Sequence, residues 1–286
     1  MTAAALALVL VAAFTHASWN YLLKRSGGGI GFVWLFAAIS ALLYAPLALG
    51  TLLWLEPDLG WAHLAAAAAS AALHTVYYLL LDRGYRHGDL SLVYPIARAT
   101  GPLLTVGLAV LLLGERPAPV AITGALLISA GGLLLTGDPR ALRSKGIEHA
   151  VLIALATGVT IAAYTLVDKT AVAILLTPPI LQDWMTNVGR VALMTPLLRT
   201  RGEAVRAAWR EHRGDVLAVA VLCPLSYILV LTAMQLTLVS YVAPAREVSI
   251  LIAAFLGARL LSEGNARRRG IAAALMSVGV IALALA

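Results

Sequence analysis

Runs of some twenty apolar residues, parted at short polar or Gly/Pro-rich points, recur along the whole 286-residue chain. A helical run of about 20 residues matches the hydrocarbon thickness of a bilayer. The pattern predicts ten membrane-spanning helices, near residues 2–23, 30–54, 61–81, 90–113, 118–136, 148–168, 175–198, 215–235, 239–258 and 268–286. The breaks carry turn chemistry: Gly27-Gly28-Gly29, Glu56-Pro57-Asp58, Arg116-Pro117, Asp138-Pro139 and Thr177-Pro178-Pro179. The connector from Arg199 to Asp215 is the longest and is strongly charged. The N-terminal stretch lacks the basic start of a secretory signal and reads as the first span.

Polar residues inside the spans fall on faces, because positions i, i+3, i+4 and i+7 of a helix lie together. His16, Trp19 and Asn20 share a face of the first span, and Ser70, His74, Tyr77 and Tyr78 one of the third. The fourth carries Tyr94, Arg98, Gly101 and Thr105, and the sixth Thr157, Thr160, Tyr164 and Asp168. The seventh carries Asp183, Asn187, Arg190 and Met194. The ninth carries Arg246 and Ser249, with Glu247 turned about 100° away. Spans five and ten have small residues instead, among them Gly124, Gly131, Gly132, Gly270, Ser277 and Gly279. Small residues let helices approach closely in lipid. Spans one, three, four, six, seven and nine are therefore expected to line a cavity. Five and ten are expected to form a scaffold or a homodimer face.

The two halves match. Arg98 and Arg246 each follow an Ala and a nearby proline (Pro95, Pro244), and each lies 17 residues before a glutamate. An offset of 148 residues maps Ala97-Arg98 onto Ala245-Arg246 and Glu115 onto Glu263. Asn20-Tyr21-Leu22-Leu23-Lys24 likewise resembles Thr165-Leu166-Val167-Asp168-Lys169. The division expected is a first five-span repeat over 1–138, a connector over 139–147 and a second repeat over 148–286. An odd number of spans per repeat inverts the second copy, a common basis for alternating access.

Composition sharpens this. The chain is 61% hydrophobic and 12% charged, against about 25% charged in soluble domains, and its mean hydropathy is +0.89. Its net charge of +7 does not point to nucleic acid, because the basic residues sit in short connectors. Of the 21 Lys and Arg, three (Arg98, Arg190, Arg246) lie within spans, 16 in odd connectors and two (Arg116, Lys169) in even ones. The positive-inside rule then puts the odd connectors in the cytoplasm and both termini outside. One cysteine, Cys223, excludes an internal disulfide.

Each of the runs from Pro95 to Gly137 and from Pro244 to Ala286 has a Pro-initiated helix, then Gly-Glu or Ser-Glu, then a helix rich in small residues. With ten spans and this length, the chain resembles the drug/metabolite transporter superfamily, specifically its EamA-type members, over its whole length. The resemblance implies a ten-helix carrier of small metabolites, with a central cavity walled by the first four helices of each repeat. It also implies both termini inside, against the basic-residue count. His16-Ala17-Ser18-Trp19-Asn20 and Leu90 to Arg98 are not general features of that family and mark a subgroup.

Charged residues within membrane spans are costly and mark functional sites. Three arginines against Glu247 and a more peripheral Asp183 leave a positive surplus, so an anionic or zwitterionic substrate is expected. Arginine forks bind carboxylate or phosphonate bidentately. The substrate-binding candidates are Arg98, Arg246, Arg190, Tyr94, Trp19, Asn20, Tyr77, Tyr78, Tyr164 and Asn187. The proton-coupling candidates are His16, His74 and Glu247. Each has a structural alternative: ion pairing within the bundle for the charged groups, and packing or interfacial anchoring for the aromatics. Glu115 and Glu263 are expected to cap helices or meet solvent. No phosphate-binding loop appears, and neither a metal nor a cofactor is expected. The expectation is a secondary transporter of the inner membrane whose partners are its small-molecule substrate and the bilayer. A flippase for an anionic lipid-linked group is the alternative. An intramembrane enzyme built on His16, His74 and Glu247 is the remote one.

Overall fold

The computed structural model describes residues 1–87, 90–136, 147–199, 201–252 and 266–286. Among these residues every regular element is helical. The helices are α1 (Ala3–Arg25), α2 (Ile30–Leu55), α3 (Trp61–His87), α4 (Leu90–Leu113), α5 (Pro119–Thr136), α6 (Ile147–Lys169), α7 (Pro179–Met194), α8 (Gly202–Leu236), α9 (Val239–Ala245) and α10 (Ala266–Leu285). Among the described residues six stretches are long and apolar enough to cross a membrane, in α1, α2, α3, α4, α6 and α8; Pro119–Leu135 and Gly270–Leu285 are shorter apolar helices. Leu42, Leu53, Leu111, Leu152 and Ile281 point outward, while Arg98, Asp168, Asp183, Arg190 and Glu247 are buried. Polar inside and apolar outside is the arrangement lipid imposes. The chain is a multi-pass, all-helical membrane protein.

The predicted spans coincide with these helices, with departures at local chemistry. The charged stretch expected as the connector before span eight is helical from Gly202 and bends at His212 (φ −132°) into the span. Its Val205 and Ala208 pack inward against the cluster of Phe32, Phe36, Met194 and Val216. Gly31 permits this approach: a Cβ there would lie 2.9 Å from the Ala204 carbonyl carbon. The ninth span breaks early. Pro244 offers no N–H to the turn before it, and the helix gives way to a turn at Arg246 and Glu247 before resuming at Val248. Glu247 N–H donates to the Pro244 carbonyl. Residues 253–258 of the predicted span, and the connector, lie outside the described residues.

The helix ends fall into two groups. At one end Arg25 pairs with Asp215, and Arg268 Nε donates to the Leu134 carbonyl. At the other, Lys169 Nζ donates to the carbonyls of Met234 (2.6 Å) and Thr237 (2.9 Å). There too the Glu115 carboxylate accepts the Val239 and Ser240 amides at 2.8 and 3.0 Å. Glu115 is thus a buried cap on the start of α9 and satisfies N–H groups that a helix leaves open.

Packing pairs come in couples. α1 packs on α8 as α6 packs on α3, and α2 packs on α8 as α7 packs on α3. α2 meets α7 and α5 meets α10. Exchanging the first five helices for the last five maps this set of pairs onto itself. The α5–α10 seam is glycine-lined: a Cβ at Gly279 would lie 2.6 Å from Ile128 and 2.7 Å from the Gly124 carbonyl oxygen.

Candidate functional site

A central cavity opens between the halves, lined by α1, α3, α4, α6, α7, α8 and Arg246 just beyond α9. It is a narrow space of about 570 Å³, its open mouth included. It brings together Arg98, Arg190, Arg246, His16, Trp19, His74, Tyr77, Tyr78, Tyr164 and Asn187 from the sequence-derived set. α8 adds Cys223, Ser226 and Tyr227, and α7 adds Asp183 and Thr186. The sequence offers Tyr227 as a pocket aromatic, but α8 is not among the spans expected to line the cavity, because its polar positions 223, 226 and 227 are thinly spread through an apolar run. Their i, i+3, i+4 spacing was the available signal. Thr186 sits on the same face as Asp183 and Arg190 and was detectable in the same way.

Aromatic rings form one wall. Tyr77 meets Tyr78 at 5.1 Å and Tyr164 at 6.0 Å between centroids, and Tyr164 meets Tyr227 at 6.4 Å. His74 stacks on Tyr164 at 4.0 Å, and His16 meets Trp19 edge-on at 4.8 Å. The wall ends in cations. Arg190 lies 5.1 Å above the Tyr78 ring and 5.4 Å above Phe36, and Arg246 lies 5.5 Å above Tyr227. These are cation–π distances.

The three arginines differ in their partners. Arg98 Nε is ion-paired with Glu247 at 2.9 Å, Arg98 Nη2 donates to Ser249 Oγ at 3.1 Å, and Nη1 lies 3.5 Å from His16 Nε2. Arg190 donates to the Asn187 side-chain oxygen, and Asn187 Nδ2 donates to Asp183 Oδ2 at 2.9 Å. Among the described residues Arg246 has no carboxylate within 4.0 Å. Buried polar atoms without a partner cluster here as well: Trp19 Nε1, Arg190 Nε and Thr186 Oγ1.

Two sequence-derived residues stand apart. Asn20 Nδ2 donates to the carbonyl of its own His16 at 2.9 Å and does not line the cavity. Glu247 lies behind Arg98, beside a smaller void that also touches Ser129 of α5. The Tyr94 side chain and Glu263 lie outside the described residues. The expected surplus of arginines needs correcting. Asp168 is fully enclosed, so among the described residues of the interior three carboxylates match three arginines. The asymmetry lies in placement: Glu247 is taken by Arg98 and Asp168 by Tyr227 and Gln182, while Arg246 faces the cavity without one.

Comparison with known proteins agrees with this architecture. A crystal structure of a protein 17% identical in sequence superposes with a TM-score of 0.76 and covers 100% of this chain and 99% of its own. At that identity the likeness concerns the fold. No curated protein matches the sequence. The model of the EamA-like transporter family matches residues 3–137. Over those residues, a little under half of the chain, it is similar to the EamA-like transporter family, whose members are transporters.

Proposed function

We propose that this chain is a secondary carrier of the inner membrane for a small anionic or zwitterionic metabolite, working by alternating access between two inverted five-helix repeats. The observation that carries the substrate class is Arg246, a guanidinium facing a narrow buried cavity with no carboxylate beside it among the described residues. The unpartnered atoms agree with it. Trp19 Nε1 and Arg190 Nε are donors only, and the Thr186 hydroxyl can donate. A site with spare donors suits a ligand rich in acceptors, such as a carboxylate or phosphonate. The aromatic wall suits the apolar part of the same molecule. Asp183, held by Asn187 rather than by a cation, can receive an ammonium group if the substrate carries one.

The coupled packing pairs support the repeat reading. Two halves that meet through α1–α8 and α3–α6 contacts can rock about a cavity that both build. Arg98 and Glu247 join α4 to the turn after α9, so they stand where such rocking would make and break contacts.

The test is thermal melting of purified protein against carboxylates, amino acids, phosphonates and organic cations, repeated on Arg246→Ala. Stabilisation by anions or zwitterions that the variant loses is the expected result. Stabilisation by organic cations alone would overturn the substrate class.

A further inference from the structure

Asp168 plays no part in the anion site, yet it is the most enclosed acid among the described residues, at 0% exposure. Two helices hold its carboxyl group. The Tyr227 hydroxyl of α8 donates to Oδ2, and Gln182 Nε2 of α7 donates to Oδ1 at 2.9 Å. Among the described residues no Lys, Arg or His pairs with it. Adjacent Lys169 turns away to the end of α8. Ionisable side chains in the membrane interior are rare and mark substrate, ion or proton pathways.

Two independent features point the same way. Gln182 is fully buried, and its Oε1 has no hydrogen-bond partner. An ionised Asp168 has no hydrogen to give that acceptor, whereas a protonated one supplies a donor once the amide turns. Directly after Asp168 and Lys169 the helix widens into a π turn over Thr170–Ile174, and Leu176 follows with φ 58°. Such irregularities gather at functional sites.

The carboxyl group also communicates with the cavity. Tyr227 lines it, and the Tyr227 ring lies beneath Arg246 at 5.5 Å. Ser70 Oγ lies 3.2 Å from His74 Nδ1, and the His74 ring meets Tyr227 edge-on at 5.4 Å. The groups facing Asp168 are therefore Ser70 and His74 from α3, Tyr164 from its own helix, Gln182 and Asp183 from α7, Tyr227 from α8 and Arg246 after α9.

We propose that Asp168 is a proton-binding site that couples transport to the proton gradient, linked to the cavity through the Tyr227 hydroxyl; this rests on the carrier reading above. In the transfer the Tyr227 O–H bond breaks as the Asp168 Oδ2–H bond forms. The phenol oxygen takes a new proton from hydronium in the cavity, so the tyrosine ends unchanged. Substrate anion at Arg246 and proton at Asp168 then occupy the two sides of Tyr227 together, the arrangement of a symporter.

Two experiments test it. The first needs no substrate: infrared difference spectra of the purified protein across pH. A protonated-carboxyl band that titrates in the unaltered protein and in Asp183→Asn, and is missing from Asp168→Asn, is expected. Identical titrating bands with and without Asp168 would overturn the proposal. If Asp168→Asn does not fold, Tyr227→Phe takes its place: the band should move in frequency and midpoint, and an unmoved band overturns the proposal. The second uses proteoliposomes holding a pH dye, given phenylalanine, succinate and methylphosphonate in turn. Uptake of a probe should move protons, and Asp168→Asn should keep probe-for-probe exchange while losing proton movement. Probe uptake without proton movement overturns the proposal and leaves the carrier reading standing. An intact Asp168 band with no probe of any class bound or moved overturns the carrier reading instead.

Discussion

Arg246 and Arg98 occupy matching places in the sequence and carry different duties in the structure. Arg98 is engaged by Glu247 and Ser249, whereas Arg246 offers its guanidinium to the cavity over Tyr227. Hydrogen bonds to a charged group contribute roughly 1.5–3 kcal/mol, so Arg246→Ala should weaken anion binding roughly 10- to 150-fold. Arg246→Lys keeps the charge and loses the fork, and should fall between. Titration of the melting temperature with the best-stabilising anion measures both, and equal affinity in all three proteins would remove Arg246 from the site. Glu247 makes the contrasting case. Glu247→Gln leaves Arg98 buried without its counter-charge, which typically costs about 3 kcal/mol or more. A large drop in melting temperature is expected, and much of it should return when Arg98→Met is added. A double variant no more stable than Glu247→Gln alone would count against the pair as the cause. Residue types and helical faces made most of this site legible in the sequence. What they could not give was partnership, because whether Arg98 or Arg246 meets the acid depends on a turn that Pro244 imposes. Asp168 looked like a span-end residue for a related reason: the π turn after it extends the helix and carries the buried segment further than an apolar run suggests.

At the scale of elements, spans were readable because lipid demands long apolar helices with every backbone group paired internally. The charged stretch before span eight misled because charge suggests a loop, yet Glu203, Ala204, Arg206 and Ala207 belong to a helix whose Val205 and Ala208 pack inward. Small residues correctly marked α5 and α10 as packing elements, and they pack on each other. That seam has little tolerance. A side chain at Gly279 meets Ile128 and the backbone of Gly124, and overpacking of this kind costs about 1–3 kcal/mol or more. Gly279→Val should lower the melting temperature by several degrees, while Gly107→Ala, whose Cβ would meet nothing within 4 Å, should lower it little. Equal effects from the two substitutions would show that the α5–α10 contact does not hold the fold.

For the whole molecule, the placement of charge bears on which way it sits in the membrane. The end that carries Lys24, Arg25, Arg201, Arg206, Arg210 and Arg213 is basic, and it is tied together by the Arg25–Asp215 pair. The opposite end holds Glu115 and Lys169, both engaged in capping helix ends. The structure thus gathers into one face the charges that the sequence only assigned to alternating connectors. The positive-inside rule places that face in the cytoplasm and both termini outside, the reverse of what the family resemblance implies. Cys223 is the sole cysteine and lines the cavity, so a Cys223→Ser background carries no competing thiol. In that background Asp58→Cys, in the exposed connector after α2, should react with an impermeant maleimide on intact cells. Lys24→Cys, at the exposed end of α1, should react only once the membrane is opened. The opposite labelling pattern would turn the molecule over. Asp168 lies next to Lys169 near the end of α6, so such a reversal would place the proton site nearer the cytoplasm and change which compartment supplies its proton.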